Sequence, residues 1–147
     1  MRKGGVTMAE NKNTAMWDYL MSYPALYSYL KFNTSDAEIG ESSFSTVQNT
    51  AWEKRFVRGH GIKRYDFALA QIRPYDTGTS QINAAEMFDT EKFMLWIREQ
   101  NDKGNFPDFP EQVISIECLD NMPAVAAVSE DGTAAKYMFQ CRVRYYE

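Results

Sequence analysis

Histidine and cysteine are scarce in this chain, with one histidine and two cysteines among 147 residues. His60 with Asp66 or Asp76 is the one candidate for acid-base catalysis, and its position between two glycines suits a turn better than a rigid catalytic site. Cys118 and Cys141 have neither the number nor the spacing of a zinc site or a disulfide framework. We therefore expect no catalytic residue, no metal and no cofactor, and interpret both cysteines as reduced thiols in the core.

Long apolar runs, signal-peptide patterns and the motifs of nucleotide-binding proteins and common hydrolases are also absent from the sequence. We therefore expect no membrane association and no small-molecule substrate, and we expect the chain to be made and kept in a cytoplasm. An excess of basic charge is absent too, since the net charge is -4 and the isoelectric point is about 5.1. That balance disfavours sequence-independent binding to nucleic acid.

Apolar side chains, by contrast, are abundant: 44% of the residues are hydrophobic and 14% are aromatic. In a chain of this length they are enough to build one packed core. We predict a flexible N-terminal arm over residues 1–13 and a single domain over residues 14–147. The predicted fold class is α+β, a mainly antiparallel sheet of about four to six strands with two helices packed on one face.

Two stretches have helical patterns. Thr14 is the predicted cap of a short first helix, which should end before Pro24 because proline disfavours helical geometry in the residue ahead of it. The stronger pattern lies between Ala84 and Lys103 and should end at Gly104. Its apolar stripe holds Phe93, Trp96, Ile97 and Gln100.

Strand patterns dominate the rest of the chain. Residues 54–57 should lead through a Gly-His-Gly tip into a hairpin whose return arm covers residues 62–72. Residues 134–146 alternate strictly between large apolar and polar side chains, as in a half-solvated antiparallel strand. This flat, tyrosine-rich last strand would also suit edge pairing with a neighbouring subunit. Residues 33–43 are predicted to form a loop, and residues 121–132 a loop or irregular hairpin connection, with a turn at Asp131-Gly132.

Basic residues cluster on the predicted hairpin, in an otherwise acidic chain. This cluster has two equally good interpretations: it binds an acidic surface of another protein, or it is a solvated hairpin whose charges are paired within the chain. Contact with DNA is the third interpretation. Three more cations on the outer face of the last strand are open to the same interpretations. The hairpin group is Lys54, Arg55, Arg58, Lys63 and Arg64, and the strand group is Lys136, Arg142 and Arg144.

Four segments, in this order, resemble a family of small proteins from long-tailed bacteriophages, the tail terminator or tail completion proteins, often labelled phage minor capsid proteins. The segments are a short helix ending in Tyr23-Pro24, a return arm KRYDFALAQIRPYD, a helix with its stop FDTEKFMLWIREQNDKGNFPDF, and a closing strand KYMFQCRVRYYE. Together they cover most of the chain from about residue 14 to the end.

The resemblance implies a virion structural protein that forms a hexameric ring on the finished tail tube, stops its elongation and offers a surface for head–tail joining. Its implied partners are copies of itself, the tail tube protein and the head–tail connector protein, with DNA passing through the ring lumen. The implied location is the head-proximal end of the tail, after assembly in the cytoplasm of a bacterial host. By resemblance, Arg55, Arg58, His60, Lys63 and Arg64 belong to a loop that touches a neighbour or the tube.

Two alternatives remain open at this point. The nearer one is another ring of the head–tail connector or another minor capsid protein, which would also assemble through two different patches on each subunit. The other belongs to a different class, a small α+β ligand-binding domain or hydrolase. That class requires a concave pocket with converging polar groups and a titratable residue of perturbed pKa.

Overall fold

A computed structural model of the protein describes residues 12–24, 30–32, 42–75, 80–120 and 124–147, with the side chains of all but 31, 32 and 80–90. Within these ranges the chain forms two helices, α1 (Lys12–Met21) and α2 (Ser80–Lys103). It also forms seven strands, which are β1 (Leu30–Phe32), β2 (Ser42–Thr46), β3 (Trp52–Arg55), β4 (Gly61–Pro74), β5 (Val113–Cys118), β6 (Ala124–Val128) and β7 (Ala134–Tyr146). The predicted α+β class is confirmed.

The strands form one sheet in the order β1-β2-β4-β7-β5, with β3 also beside β4 and β6 also beside β7. β1 runs parallel to β2, and every other pair is antiparallel. The two longest strands, β4 and β7, form the centre of the sheet and pair over thirteen positions, from Ile62–Tyr146 to Pro74–Ala134. The last strand therefore has neighbours along both of its edges, and the expectation that it pairs with another subunit as an edge strand is wrong.

One face of the sheet carries the core, and both helices pack on it, as predicted. The rings of Phe93 on α2 and Phe139 on β7 lie 5.1 Å apart, and Tyr23, just after α1, contacts Phe93 at 5.3 Å. Aromatic rings at these separations add favourable edge and stacking contacts to the burial of apolar area. The alternating positions of β7 predicted to face inward are all buried: Tyr137, Phe139, Cys141, Val143 and Tyr145.

Both helices begin earlier than the sequence pattern indicates. α1 begins at Lys12 rather than at Thr14, and Lys12 is held there because its Nζ lies 3.1 Å from Glu111 Oε1 and 4.9 Å from the ring centre of Tyr145. The predicted boundary between arm and domain at residue 13 therefore falls inside this helix, and residues 1–11 lie outside the described part of the chain. α2 begins at Ser80.

The end of α2 follows the prediction. Gly104 adopts a φ of 71°, and its N–H donates to the carbonyl of Asn101. The N–H of Asn105 donates back to the carbonyl of Gln100, which completes a capping motif for helix carbonyls that would otherwise lack a donor. A residue with a Cβ would be strained at this φ, so the glycine ends the helix here.

A strand replaces part of a predicted connection. Residues 121–132 contain β6, whose sequence AVAAV has no alternation of polar and apolar residues to indicate a strand. The predicted Asp131-Gly132 turn is confirmed, since Gly132 has a φ of 72° and the turn joins β6 to β7. Within the other predicted loop, Ser42 and Ser43 belong to β2, and residues 33–41 lie outside the described ranges.

Candidate assembly surface

The β3–β4 hairpin is shaped by two glycines with different roles. Gly59 has a φ of 84° in the turn, and its N–H donates to the carbonyl of Phe56. Gly61 begins β4 where β3 passes very close: a Cβ at this position would lie 2.1 Å from the carbonyl oxygen of Lys54 and 2.9 Å from the Trp52 side chain. Gly61 therefore lets the two strands approach, and Gly59 lets the chain reverse.

The end of this hairpin, Lys54–His60, is exposed at every residue, and we call it the basic hairpin. Lys54, Arg55 and Arg58 have no carboxylate partner among the described residues. The Arg55 guanidinium lies 4.6 Å from the Trp52 ring centre. Two apolar side chains stand among these cations: Phe56 is 42% exposed and Val57 is fully exposed. Large exposed apolar side chains beside unpaired cations are typical of a protein-binding surface.

His60 lies on the basic hairpin, as predicted. Its backbone carbonyl accepts a hydrogen bond of 2.6 Å from the N–H of Phe56, and its side chain makes none within the described ranges. Asp66, one candidate acid-base partner, is bound elsewhere by Arg142. Asp76, the other, lies outside the described residues. The structure thus places His60 as a surface residue of the turn.

The remaining two cations of the predicted cluster are engaged within the subunit. Lys63 forms an ion pair with Glu147, and its Nζ lies 4.6 Å from the Trp52 ring centre. Arg64 Nε lies 3.8 Å from Glu53 Oε1. Three of the five clustered cations are therefore exposed and have no carboxylate partner in the described ranges, as the interface interpretation expects. The other two are half-buried and paired with carboxylates, as the solvated-hairpin interpretation expects.

Among the described residues, Asp66 and Arg142 form the most buried ion pair of the outer sheet face. Arg142 Nε and Nη2 donate to the two carboxylate oxygens of Asp66 at 2.8 and 3.0 Å, and Asn49 Nδ2 donates at 2.8 Å. The side chains are 2% exposed for Asp66 and 18% exposed for Arg142. Burial alone would raise the pKa of Asp66, but the hydrogen bonds from Arg142 and Asn49 and the charges of Arg142 and Arg64 outweigh it and lower that pKa.

Arg144 continues this network on the same face. Its guanidinium donates to Glu53, with Nε at 3.0 Å from Oε2, and its Nη1 lies 3.6 Å from Glu117 Oε1. Glu53 is on β3, Arg64 on β4, Glu117 on β5 and Arg144 on β7, so the charges connect four strands. Both arginines were interface candidates from the sequence. Arg144 holds β3 to the sheet through Glu53, and Arg142 binds Asp66 across the central β4–β7 pair.

The two cysteines occupy facing positions on β5 and β7. Cys118 pairs with Cys141 in the register of the two strands, and their Sγ atoms lie 3.2 Å apart. Both are free thiols, and burial, followed by contact with Cys118, raises the pKa of Cys141. The predicted core location is confirmed for Cys141, while Cys118 is half-buried. Their alignment depends on strand register and has no signal in the local sequence.

A groove of about 420 Å³ lies between α2 and β5. Several of its polar groups already serve the fold: Asn101 Oδ1 accepts from the N–H of Ile116 at 3.0 Å, and Asp120 Oδ2 accepts from the N–H of Gln140 at 2.8 Å. Cys118 and Ile116 form part of its wall. A small ligand could be assigned to this groove within the described part of the chain.

The described ranges offer neither a metal-binding cluster nor a membrane-spanning helix. No group of three or more histidine, cysteine, aspartate or glutamate residues there is arranged to hold a metal ion. Neither described helix combines the length and apolarity needed to cross a bilayer.

The chain was compared with known proteins by sequence. No protein-family model matches it, and no curated protein matches it.

Proposed function

We propose that this chain is a virion structural protein, a tail terminator that forms a hexameric ring on the tail tube. In this role it stops tail elongation and provides the surface for head–tail joining. The order of the four sequence segments supports the choice of family, and the α+β fold with two helices on one face is consistent with it. The proposed partners are copies of itself, the tail tube protein and the head–tail connector protein, with DNA passing through the lumen.

The basic hairpin is the observation that carries the proposal. Three cations without carboxylate partners, Phe56 and Val57 stand together in solvent, while the ion pairs of Glu53 and Arg144 fix the strands beneath them. A rigid base with exposed aromatic, aliphatic and arginine side chains is the composition that protein interfaces favour. A subunit that works by contact, rather than by chemistry, needs such a surface.

Two alternatives follow from specific features. Another ring of the head–tail connector would use the same hairpin, because it too assembles through protein contacts. A small-molecule-binding domain would use the groove between α2 and β5. The basic hairpin does not line that groove, so changes to the hairpin separate the two classes of function.

Reversing two charges on the basic hairpin should abolish capping. We expect Arg55→Glu with Arg58→Glu to leave the fold intact, because both side chains are exposed and without carboxylate partners in the described ranges. Like charges placed across an interface cost several kcal/mol, and each 1.4 kcal/mol is tenfold in binding. In a phage that depends on this chain, the variant should lower the yield of infectious particles by roughly 100-fold or more, measured by plaque titre beside circular dichroism of the purified variant.

The matched control reverses two exposed cations on α2, Arg98→Glu with Lys103→Glu, of which Arg98 also lines the groove, so that a loss of titre in this control alone would favour the small-molecule alternative. The control changes the net charge equally but leaves the basic hairpin untouched, so its titre should stay close to wild type. Arg64 is a poor choice for this test because its reversal would repel Glu53 within the subunit. Wild-type titre in the hairpin variant, with the protein folded and present in the particle, would remove the basic hairpin from the interface.

A further inference from the structure

β6 is an unusually unprotected edge strand. Its five residues, Ala124–Val128, are all exposed, with Val125 at 40% and Val128 at 43%, and none is charged or a proline. In the described part of the chain it pairs with β7 alone, so its other edge presents free backbone groups. Soluble proteins usually protect such edges with charges, prolines or bulges. A bulge between Val125 and Ala127 is the single such feature on β6.

The hairpin formed by β6, the turn 129–133 and the start of β7 also carries acidic residues, and we call it the acidic hairpin. Glu130 and Asp131 are exposed at its tip, and Glu130 has no partner among the described residues. Asp131 accepts hydrogen bonds from Ser129 and Thr133, which lower its pKa to about 2, and like any exposed carboxylate it is ionised at neutral pH. The tip of the acidic hairpin therefore places two carboxylates beside exposed valines, and the one cation of this hairpin in the described chain is half-buried Lys136, opposite Ala127.

The acidic and basic hairpins lie at diagonally opposite corners of the sheet. The basic hairpin adjoins the end of the β4–β7 ladder at Tyr146, and the acidic hairpin adjoins the other end at Ala134. The ladder spans about 40 Å between them at the usual rise per strand residue. β3 flanks β4 on one side of the ladder, and β6 flanks β7 on the other. Each subunit thus presents two different patches that point away from each other.

The two patches are complementary in chemistry. The basic hairpin offers Lys54, Arg55 and Arg58 around Phe56 and Val57, and the acidic hairpin offers two carboxylates beside Val125 and Val128. Opposite charges guide association, and the apolar side chains supply area to bury. A contact between two different patches of one chain repeats from copy to copy and closes into a ring when the rotation between neighbours permits.

We infer that neighbouring copies of this chain associate head to tail, with the acidic hairpin of one copy docked against the basic hairpin of the next. The inference rests on the proposed ring function, and it names the two surfaces that the ring would join. The β6 edge and its valines meet Phe56 and Val57 of the neighbour, while Glu130 and Asp131 meet the neighbour's cations. Every copy uses both hairpins once.

Cysteine cross-linking tests this contact without altering its charges. The variant carries Val57→Cys and Val128→Cys, two exposed apolar positions, one on each hairpin. A short bis-maleimide is added at chain concentrations up to about 1 mM, where a contact with a Kd near 1 mM would be roughly 40% occupied. We expect a ladder of dimers, trimers and larger species on a denaturing gel. The wild-type chain, with Cys118 and Cys141, and the two single variants are the controls and should stay monomeric.

Each other outcome overturns the inference. Dimers from Val57→Cys alone or from Val128→Cys alone would mean that the new cysteine meets a surface other than the opposite hairpin, and an absent ladder in the double variant would mean that the hairpins do not meet. The test is separate from the function itself. If the chain stops tail elongation but gives no cross-linked ladder, the proposed function stands and the inferred hairpin contact is wrong. If the chain gives the ladder but tails form normally without it, the hairpin contact stands and the proposed function is wrong.

Discussion

Replacing Arg142 by methionine should lower the free energy of unfolding by about 3 kcal/mol at pH 7, near the lower end of the range for breaking a buried ion pair. Methionine keeps much of the apolar stem but removes both guanidinium hydrogen bonds to Asp66. The carboxylate, whose side chain is 2% exposed, would then keep Asn49 as a side-chain donor. Most of the loss therefore comes from leaving a buried charge without its counter-ion.

The loss should depend on pH in a defined direction. Asp66 has a lowered pKa in the folded wild type, so its stabilising contribution is complete above the unfolded value of about 3.9 and is lost as pH falls through the folded pKa. In the variant, burial without the guanidinium raises the pKa of Asp66, and protonation then relieves the unpaired charge. The difference between wild type and variant should therefore be largest at neutral pH. It should begin to shrink as pH falls through the raised pKa of Asp66 in the variant, above the unfolded value of about 3.9, and should keep shrinking down to the lowered pKa of Asp66 in the wild type.

Urea unfolding of wild type and variant at several pH values measures this difference. The control is Arg144→Met, since its partner Glu53 is more exposed than Asp66 and the expected loss is about 1 kcal/mol or less. Equal losses for the two variants at pH 7, or a difference that stays constant on acidification, would mean that Asp66 does not depend on Arg142 as a buried counter-ion.

Gly61→Ala is expected to have an effect of similar size for a steric reason. The added Cβ would lie 2.1 Å from the carbonyl oxygen of Lys54, which belongs to the backbone of the paired strand and cannot move without breaking the register. Forcing atoms into such space costs about 3 kcal/mol, the upper part of the usual range for overpacking. We expect the β3–β4 pairing to open, and the basic hairpin with it, as measured by thermal unfolding and by amide exchange of β3.

Gly59→Ala is the control, because it removes a turn glycine from the same hairpin without creating the backbone clash expected at Gly61. Apart from Gly59 and its two chain neighbours, no heavy atom of the described residues lies within 4 Å of the added Cβ. The φ of 84° is nevertheless unfavourable for alanine, at a cost of about 1–2 kcal/mol. The smaller effect at Gly59 should leave β3 protected from exchange. A Gly61→Ala protein that is as stable as Gly59→Ala would mean that the strands separate more easily than their packing indicates.

Local periodicity predicted the long elements well. The alternation of Tyr137, Phe139 and Cys141 identified β7, and the stripe through Phe93 and Ile97 identified the buried face of α2, because each pattern reports directly which side of the element is buried. The hairpin at Gly59 and Gly61 was also predictable, since glycines mark positions where a side chain would interfere.

Features that depend on long-range pairing were not predictable. β6 has no polar residue to produce an alternation, so its strand character comes from pairing with β7. The central place of β7, and the division of the clustered cations into paired Arg64 and unpaired Arg58, depend on which strands lie side by side. Phe56 and Val57 were overlooked as surface residues because apolar type alone suggests burial. The one sequence feature that indicated the acidic hairpin was the Asp131-Gly132 pair, which predicts a tight turn.

Electron microscopy of particles made without this chain tests the central claim most directly. The encoding gene is deleted from the phage or prophage that carries it, particles are induced, and tail length and head attachment are scored with and without the gene supplied in trans. We expect tails of uncontrolled length without heads, restored to uniform, head-joined tails by complementation. Tails of normal length that remain unattached would indicate a connector role instead, and normal infectious particles would contradict the structural function altogether.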